Sequence, residues 1–215
     1  MGKVAASMLA TAAVASIRFA SCIPPAAATP DEARWLAAAR GGERWALARL
    51  YDEHQEAIHA LCARLLGRAE DAEDATQTTF VRAFRALPGF RADSAIKTWL
   101  YRIAVNECLA LLRRRRHEAG RHRSDDASGV PGLNDGGAAA TAGAGDVRLV
   151  AERLVVRDAL ARLKPDHRAI LVLRFWEELS YEEIAVVLGL SLPATKMRLK
   201  RAKEAFQSFY QGGAE

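Results

Sequence analysis

"LSYEEIAVVLGLSLPATKMRLKRAKEAF", residues Leu179 to Phe206, carries two helical patterns on either side of Gly189, the first acidic and the second densely basic. Ser180 and Glu183 stand three residues apart, the spacing at which a hydroxyl and a carboxylate satisfy each other's exposed backbone N–H groups, so a helix is expected from Tyr181. Ile184, Ala185, Val187 and Leu188 supply its buried stripe, and Ala185 is small where a second helix must approach. Gly189 permits the left-handed conformation of a tight turn. Ser191 is placed to cap the next helix, and Pro193 is tolerated in its first turn. On that helix Leu192 and Leu199 face inward, while Ala194, Thr195, Lys196, Met197, Arg198, Lys200, Arg201 and Lys203 are left for the rest of its surface. The pattern is a helix-turn-helix. Its second helix fits a DNA major groove, with N-terminal side chains at base edges and later cations on phosphates. Each phosphate neutralised releases counterions, so binding of this kind is salt-sensitive.

Upstream, helical pattern runs through "VRLVAERLVVRDALARL", breaks at Pro165-Asp166 and resumes in "HRAILVLRFWEEL". Residues 117–146 lose periodicity and fill with Gly, Ala, Ser and Asp, a composition that buries too little apolar surface to offset ordering; a flexible linker is expected there. Before the linker there is no strand-like alternation, only apolar residues three and four apart, such as Leu47, Leu50, Tyr51 and Ile58, Leu61, Leu65. Thr29-Pro30-Asp31-Glu32 is a helix start. Gly41-Gly42 and Gly67 are breaks, Asp71 is expected to cap the next helix, and Pro88-Gly89 stops it before the loop "GFRAD". Ser94 is expected to cap a last helix that runs through Trp99 and Leu112 into Arg113 to Arg116. The expected fold is all-α: a four-helix domain over 29–116 and a helix-turn-helix domain over 147–211, joined by the linker 117–146 and preceded by an extension, 1–28.

The formal charge of +5 over 215 residues leans toward an anionic partner, although where the charges cluster says more than their sum. Three cysteines, Cys22, Cys62 and Cys108, are odd in number and far apart in sequence, which fits a reducing cytoplasm rather than a disulfide framework. His59 and Cys62 have no second ligand pair at matching spacing, so no metal site is expected. No phosphate loop, nucleophile elbow or paired acid cluster is present, and neither catalytic residues nor a cofactor is expected. The apolar run Val4 to Ile17 with Ala26 to Ala28 has some features of a secretory signal, but it is too short to span a bilayer. It is read as an extension or an upstream start, and the protein is expected in the cytoplasm, without a small-molecule substrate.

Two stretches decide the function class. "DAEDATQTTFVRAFRALPGF" with "SAIKTWLYRIAVNECLALLRRRR" resembles the second region of bacterial RNA polymerase sigma factors of the extracytoplasmic-function type, and "LARLKPDHRAILVLRFWEELSYEEIAVVLGLSLPATKMRLKRA" resembles their fourth. The resemblance implies a dissociable initiation subunit. Asp71, Glu73, Asp74, Gln77, Phe80, Arg82 and Phe84 would bind the clamp helices of the largest subunit of core RNA polymerase. Thr78 stands where the family usually has glutamate, and Ala110 where it often has aspartate. Phe90, Arg91, Lys97, Arg102, Asn106, Arg113 and Arg114 would handle the melted minus-ten element. Ala194, Thr195, Lys196, Arg198, Lys200 and Arg201 would read the minus-thirty-five element in promoter DNA. The second domain would also dock on the flap of the second-largest subunit, and an anti-sigma factor is an implied partner. Melted bases need aromatic acceptors and a basic groove, which the segment from Phe90 to Arg102 contains; Trp99 and Ile103, by contrast, have core spacing. The rival reading is a helix-turn-helix regulator that never joins polymerase.

Overall fold

The computed structural model describes residues 30–121 and 146–212. The expectations for residues 1–28, for Thr29 and for most of the linker therefore lie outside the described residues. Eight α-helices are present in those two stretches: α1 Pro30–Arg40, α2 Arg44–Leu66, α3 Ala69–Ala86, α4 Ile96–Arg121, α5 Asp146–Arg162, α6 Pro165–Phe175, α7 Tyr181–Leu188 and α8 Leu192–Gly212. A single 3-10 turn, Leu87–Gly89, follows α3. Two compact units result, residues 30–121 within one and residues 146–185 with 190–212 within the other.

In the first unit α2, α3 and α4 pack mutually and α1 lies on α2. Leu50, Ile58, Leu61, Leu65, Leu87, Leu100, Tyr101 and Val105 are each at most 1% exposed and form the core. Removing any one of these apolar side chains from water is worth roughly 1.5–3 kcal/mol before cavity effects. The breaks fall where local chemistry demands. Gly42 at φ +85° turns the chain between α1 and α2, and Gly67 at φ +74° closes α2 in the left-handed cap position.

Two boundaries differ from expectation. Helix α3 starts at Ala69, before Asp71, because extended Arg68 follows the Gly67 turn directly; Asp71 sits inside the first turn, where it and Glu70 face the positive end of the helix dipole. Helix α4 does not stop in the arginine run but continues to Arg121. Arg113 to Arg116 therefore lie inside the helix, more than one turn before its end and outside the last turn where its dipole favours cations.

In the second unit α5 and α6 both pack on α8. Ile170, Val172, Leu173, Ile184 and Ala202 are fully buried. Buried Arg168 donates from Nε to Leu160 O at 2.8 Å and from Nη2 to Ala161 O at 2.6 Å, so it satisfies carbonyls left over at the end of α5. The reciprocal cap expected at α7 is formed: Ser180 N donates to Glu183 Oε2 at 2.8 Å, and Glu183 N donates to Ser180 Oγ at 3.1 Å. Gly189 follows at φ +62°. The cap at α8 is looser, with Ala194 N donating to Ser191 Oγ at 3.4 Å.

Candidate functional site

Helix α3 turns small and apolar side chains inward. Ala72, Ala75, Thr76, Thr79, Phe80 and Ala83 are buried. Thr76 and Thr79 donate their hydroxyls to the carbonyls of Ala72 and Ala75 at 2.6 and 2.7 Å, which lets polar residues face the core without an orphaned group. Phe80 is 2% exposed and packs edge-on against Tyr51 with ring centroids 4.7 Å apart. It is a core residue, so its ring is not on the face expected to bind polymerase; Phe84 is half-buried beside it. What α3 presents outward is Glu73, Asp74, Gln77, Thr78, Val81, Arg82 and Arg85. Sequence reasoning missed Val81, 47% exposed, and Arg85, although the three- and four-residue spacing from Asp74 and Gln77 carries both onto that face. Beside it, a groove between α2 and α3 is lined by Tyr51, Gln55, Glu56, His59, Glu73, Thr76 and Gln77.

Asp71 and Arg82 belong to a different group. The Asp71 carboxylate is paired with Arg115 of α4, with Arg68 Nε a further 3.8 Å from Oδ2, and its side chain is only 16% exposed. Arg82 is paired with Glu107 of α4, although its own side chain stays 58% exposed. Both ion pairs fasten α3 to α4, so Asp71 is chiefly a structural residue and the exposed acids at the start of α3 are Glu70, Glu73 and Asp74.

Between the 3-10 turn and α4, Phe90 is 5% exposed with its ring 5.1 Å from that of half-buried Trp99. Phe90 thus anchors the loop and does not offer a free aromatic face to a base. Arg91, Lys97, Arg102, Asn106, Arg113 and Arg114 are exposed, and Lys97 Nζ lies 5.3 Å from the centre of the Tyr101 ring. Ala92 takes the left-handed φ of +59° that re-aims the chain into α4. His54 is mostly buried, and its Nε2 has no hydrogen-bond partner. Burial lowers its pKa first, and the Lys97 cation lowers it further against the opposing pull of Glu53. Cys62 and Cys108 are both buried and free, and their thiols share a hydrogen bond. That bond and burial push the Cys108 thiol up. His59 is exposed, whereas Cys62, three residues on and neighbouring it on α2, is buried and hydrogen-bonded to Cys108.

The second unit presents α8. Thr195 is fully buried and donates its hydroxyl to Ser191 O at 3.1 Å, so it stabilises the start of the helix from inside instead of facing DNA. Leu199 and Ala202 continue the same buried line. Ala194, Lys196, Met197, Lys200, Arg201 and Lys203 are exposed and Arg198 is half-exposed.

These cations divide into groups. Lys196 Nζ lies 5.8 Å from the Tyr181 ring centre, where Arg174 stands at 5.0 Å while donating to Leu179 O. Lys203 Nζ lies 5.2 Å from the Phe175 ring. On the opposite flank, Arg198 and Arg201 act on His167, whose pKa is lowered first by burial and then by Lys164, Arg198 and Arg201 against Asp166. The sequence shows the run of cations, but it does not show that aromatic rings on neighbouring helices hold two of them.

Comparison with known proteins adds a family to this geometry. Residues 50–118 match the family model described as Sigma-70 region 2, and residues 153–206 match the one described as Sigma-70, region 4. The RNA polymerase sigma-H factor of Pseudomonas aeruginosa is 34% identical over 182 residues, covering 79% of this chain and 89% of that protein. The ECF RNA polymerase sigma factor SigW of Bacillus subtilis is 30% identical over 179 residues, covering 77% of this chain and 89% of that protein. Among solved structures, CnrH in complex with the cytosolic domain of CnrY is similar at a TM-score of 0.58, with 26% identity over 83% of this chain and 96% of that chain. The sigma factor RpoE of Bartonella quintana, solved with the anti-sigma factor NepR, shares the fold at a TM-score of 0.58 and 23% identity, covering 76% of this chain and 96% of that one.

Proposed function

The chain belongs to the sigma-70 family of bacterial RNA polymerase sigma factors, in its extracytoplasmic-function group, and on that premise we propose how its two units divide the work of promoter-specific initiation. The first unit binds core polymerase through the outer face of α3, with Glu73, Asp74, Gln77 and Val81 as its centre and Arg85 at its edge. Charge at that face steers association and sets its register more than it adds raw affinity. Arg91, Lys97, Arg102, Asn106, Arg113 and Arg114 carry the backbone of the opened minus-ten element. The second unit reads the minus-thirty-five element with α8, where Ala194 and Met197 face base edges and Lys200 and Arg201 hold phosphates. The polymerase supplies the bond-forming chemistry, and this chain supplies position alone.

The observation that carries this reading is the coexistence, within the two matched regions, of exposed acids on the first turns of α3, Glu70, Glu73 and Asp74, and an exposed cationic face on α8. Two of the similar structures are complexes with an anti-sigma factor or a cytosolic partner domain, and we assign this chain a partner of the same kind. The function is tested by run-off transcription from a supercoiled promoter library with core enzyme, with and without the protein. Promoter-specific transcripts that appear only with the protein are the expected result. Tight binding to duplex DNA without initiation would instead identify a regulator that does not join polymerase.

A further inference from the structure

A methionine in the middle of a cationic helix face needs a reason. Met197 is 51% exposed, one of the largest apolar surfaces that the described residues leave open. In an α-helix each residue turns the side chain by about 100°. On that geometry Leu199 and Thr195 lie close to the side directly opposite Met197, and Ala202 lies near them. All three are buried at 2% exposure or less. Met197 therefore points straight away from the body of the unit. Ala194 precedes it by nearly one turn, and Lys200 and Arg201 follow it by nearly one turn, all exposed.

The flanking cations are held to the two sides. Lys196 leans over Tyr181 on one flank, with Lys203 over Phe175 further along the same flank. Arg198 is on the other flank, within the field of His167. The strip left between them carries small Ala194 and apolar Met197, with Lys200 and Arg201 about one turn further on, one to each side of the line through Met197, and Arg201 on the side of His167. Glu204 is exposed on the same line about two turns past Met197, and its charge would repel phosphates there, so DNA contact is confined to the first half of the helix.

A major groove offers an apolar midline one apolar partner, the C5-methyl group of thymine. We propose that Met197 is a specificity-determining residue of the upstream element and that it selects thymine by packing its thioether chain on the base's methyl group, an inference that rests on the assignment of α8 to DNA made above. The flexible, polarizable methionine side chain adapts to a methyl group without a fixed hydrogen-bond geometry. Ala194, with no side chain beyond Cβ, lets the helix backbone approach closely enough for that contact.

The test uses the full-length protein bound to core polymerase and a duplex library randomised across the upstream element. Sequences enriched by the wild-type holoenzyme are expected to hold an invariant thymine. Replacing that thymine by deoxyuridine, which lacks only the methyl group, should weaken wild-type binding about fourfold, the worth of one buried methyl group. Met197→Ala should bind the thymine and deoxyuridine duplexes equally, and Met197→Leu should restore the discrimination. Deoxyuridine scanning that affects wild type and Met197→Ala alike, or affects neither, overturns the methyl contact and leaves the DNA reading of α8 standing. Enrichment of no upstream sequence, with minus-ten binding intact, overturns that reading and the methyl contact with it.

Discussion

Asp71 and Asp74 lie three positions apart near the start of α3 and differ in both partner and exposure: Asp71 is held by Arg115, while Asp74 is exposed. Two phenylalanines expected at binding faces, Phe80 and Phe90, are core residues. His54 is similar in kind, an imidazole kept largely from water with Nε2 unpartnered and its pKa held below the ordinary 6.5 by burial and Lys97. The unfolded chain thus takes up a proton at His54 at a higher pH than the folded chain does. The stability that neutral His54 permits is complete above the ordinary value, shrinks as pH falls through about 6.5, and is lost once pH passes the folded-state value. Urea unfolding monitored at pH 7.5 and pH 5.5 is expected to show a smaller acid-induced loss for His54→Gln than for wild type. Equal losses would place the acid sensitivity elsewhere, with half-buried His167 the next group to examine.

At the scale of elements, local chemistry fixed what could be read early. The Ser180–Glu183 pair, Gly67, Gly189 and Gly42 all act within a few residues of themselves, and each marks a boundary the structure keeps. Removing the Ser180 hydroxyl leaves the Glu183 N–H without its partner, so Ser180→Ala is expected to destabilise the second unit by about 1 kcal/mol. Ser180→Thr should recover most of that loss in the same denaturation measurement. If Ser180→Ala alone and the Ser180→Ala, Glu183→Ala pair each cost nothing, the reciprocal cap contributes nothing to the helix. What was not legible depends on partners distant in sequence or on neighbouring helices. An aspartate just past the Gly67 break reads as a cap for α3, and nothing near it in sequence reveals its pairing with Arg115; Arg168 gives no sign that it turns inward to the end of α5. Likewise the lysines of α8 are alike in sequence, and only the packing of α6 and α7 around them places Lys196 and Lys203 over rings. The helical periodicity of α3 did contain Val81 and Arg85, but their exposure becomes apparent only once Ala72, Thr76, Thr79 and Ala83 define the opposite side.

Across the whole molecule, the net charge of +5 conceals two opposed local concentrations of charge: exposed acids on the first turns of α3 in the first unit and exposed cations on α8 in the second. Faces on separate compact units, each exposed and each without the other's residues, should fail independently when mutated. Asp74→Lys reverses an exposed charge on α3 and should weaken association with core polymerase on the order of tenfold, leaving upstream-element contacts of the assembled holoenzyme unchanged. Arg201→Ala removes a cation from the face of α8 and should cost a similar factor in upstream DNA binding while core association holds. Neither residue is part of the buried core, so both variants should unfold at the wild-type midpoint. In run-off transcription at subsaturating protein, the double variant is then expected to lose about the product of the single factors, to within roughly twofold. A double variant no worse than the weaker single would mean that both residues serve one contact. In that case the assignment of polymerase to α3 and of upstream DNA to α8 would have to be abandoned, even though the fold and the family would stand.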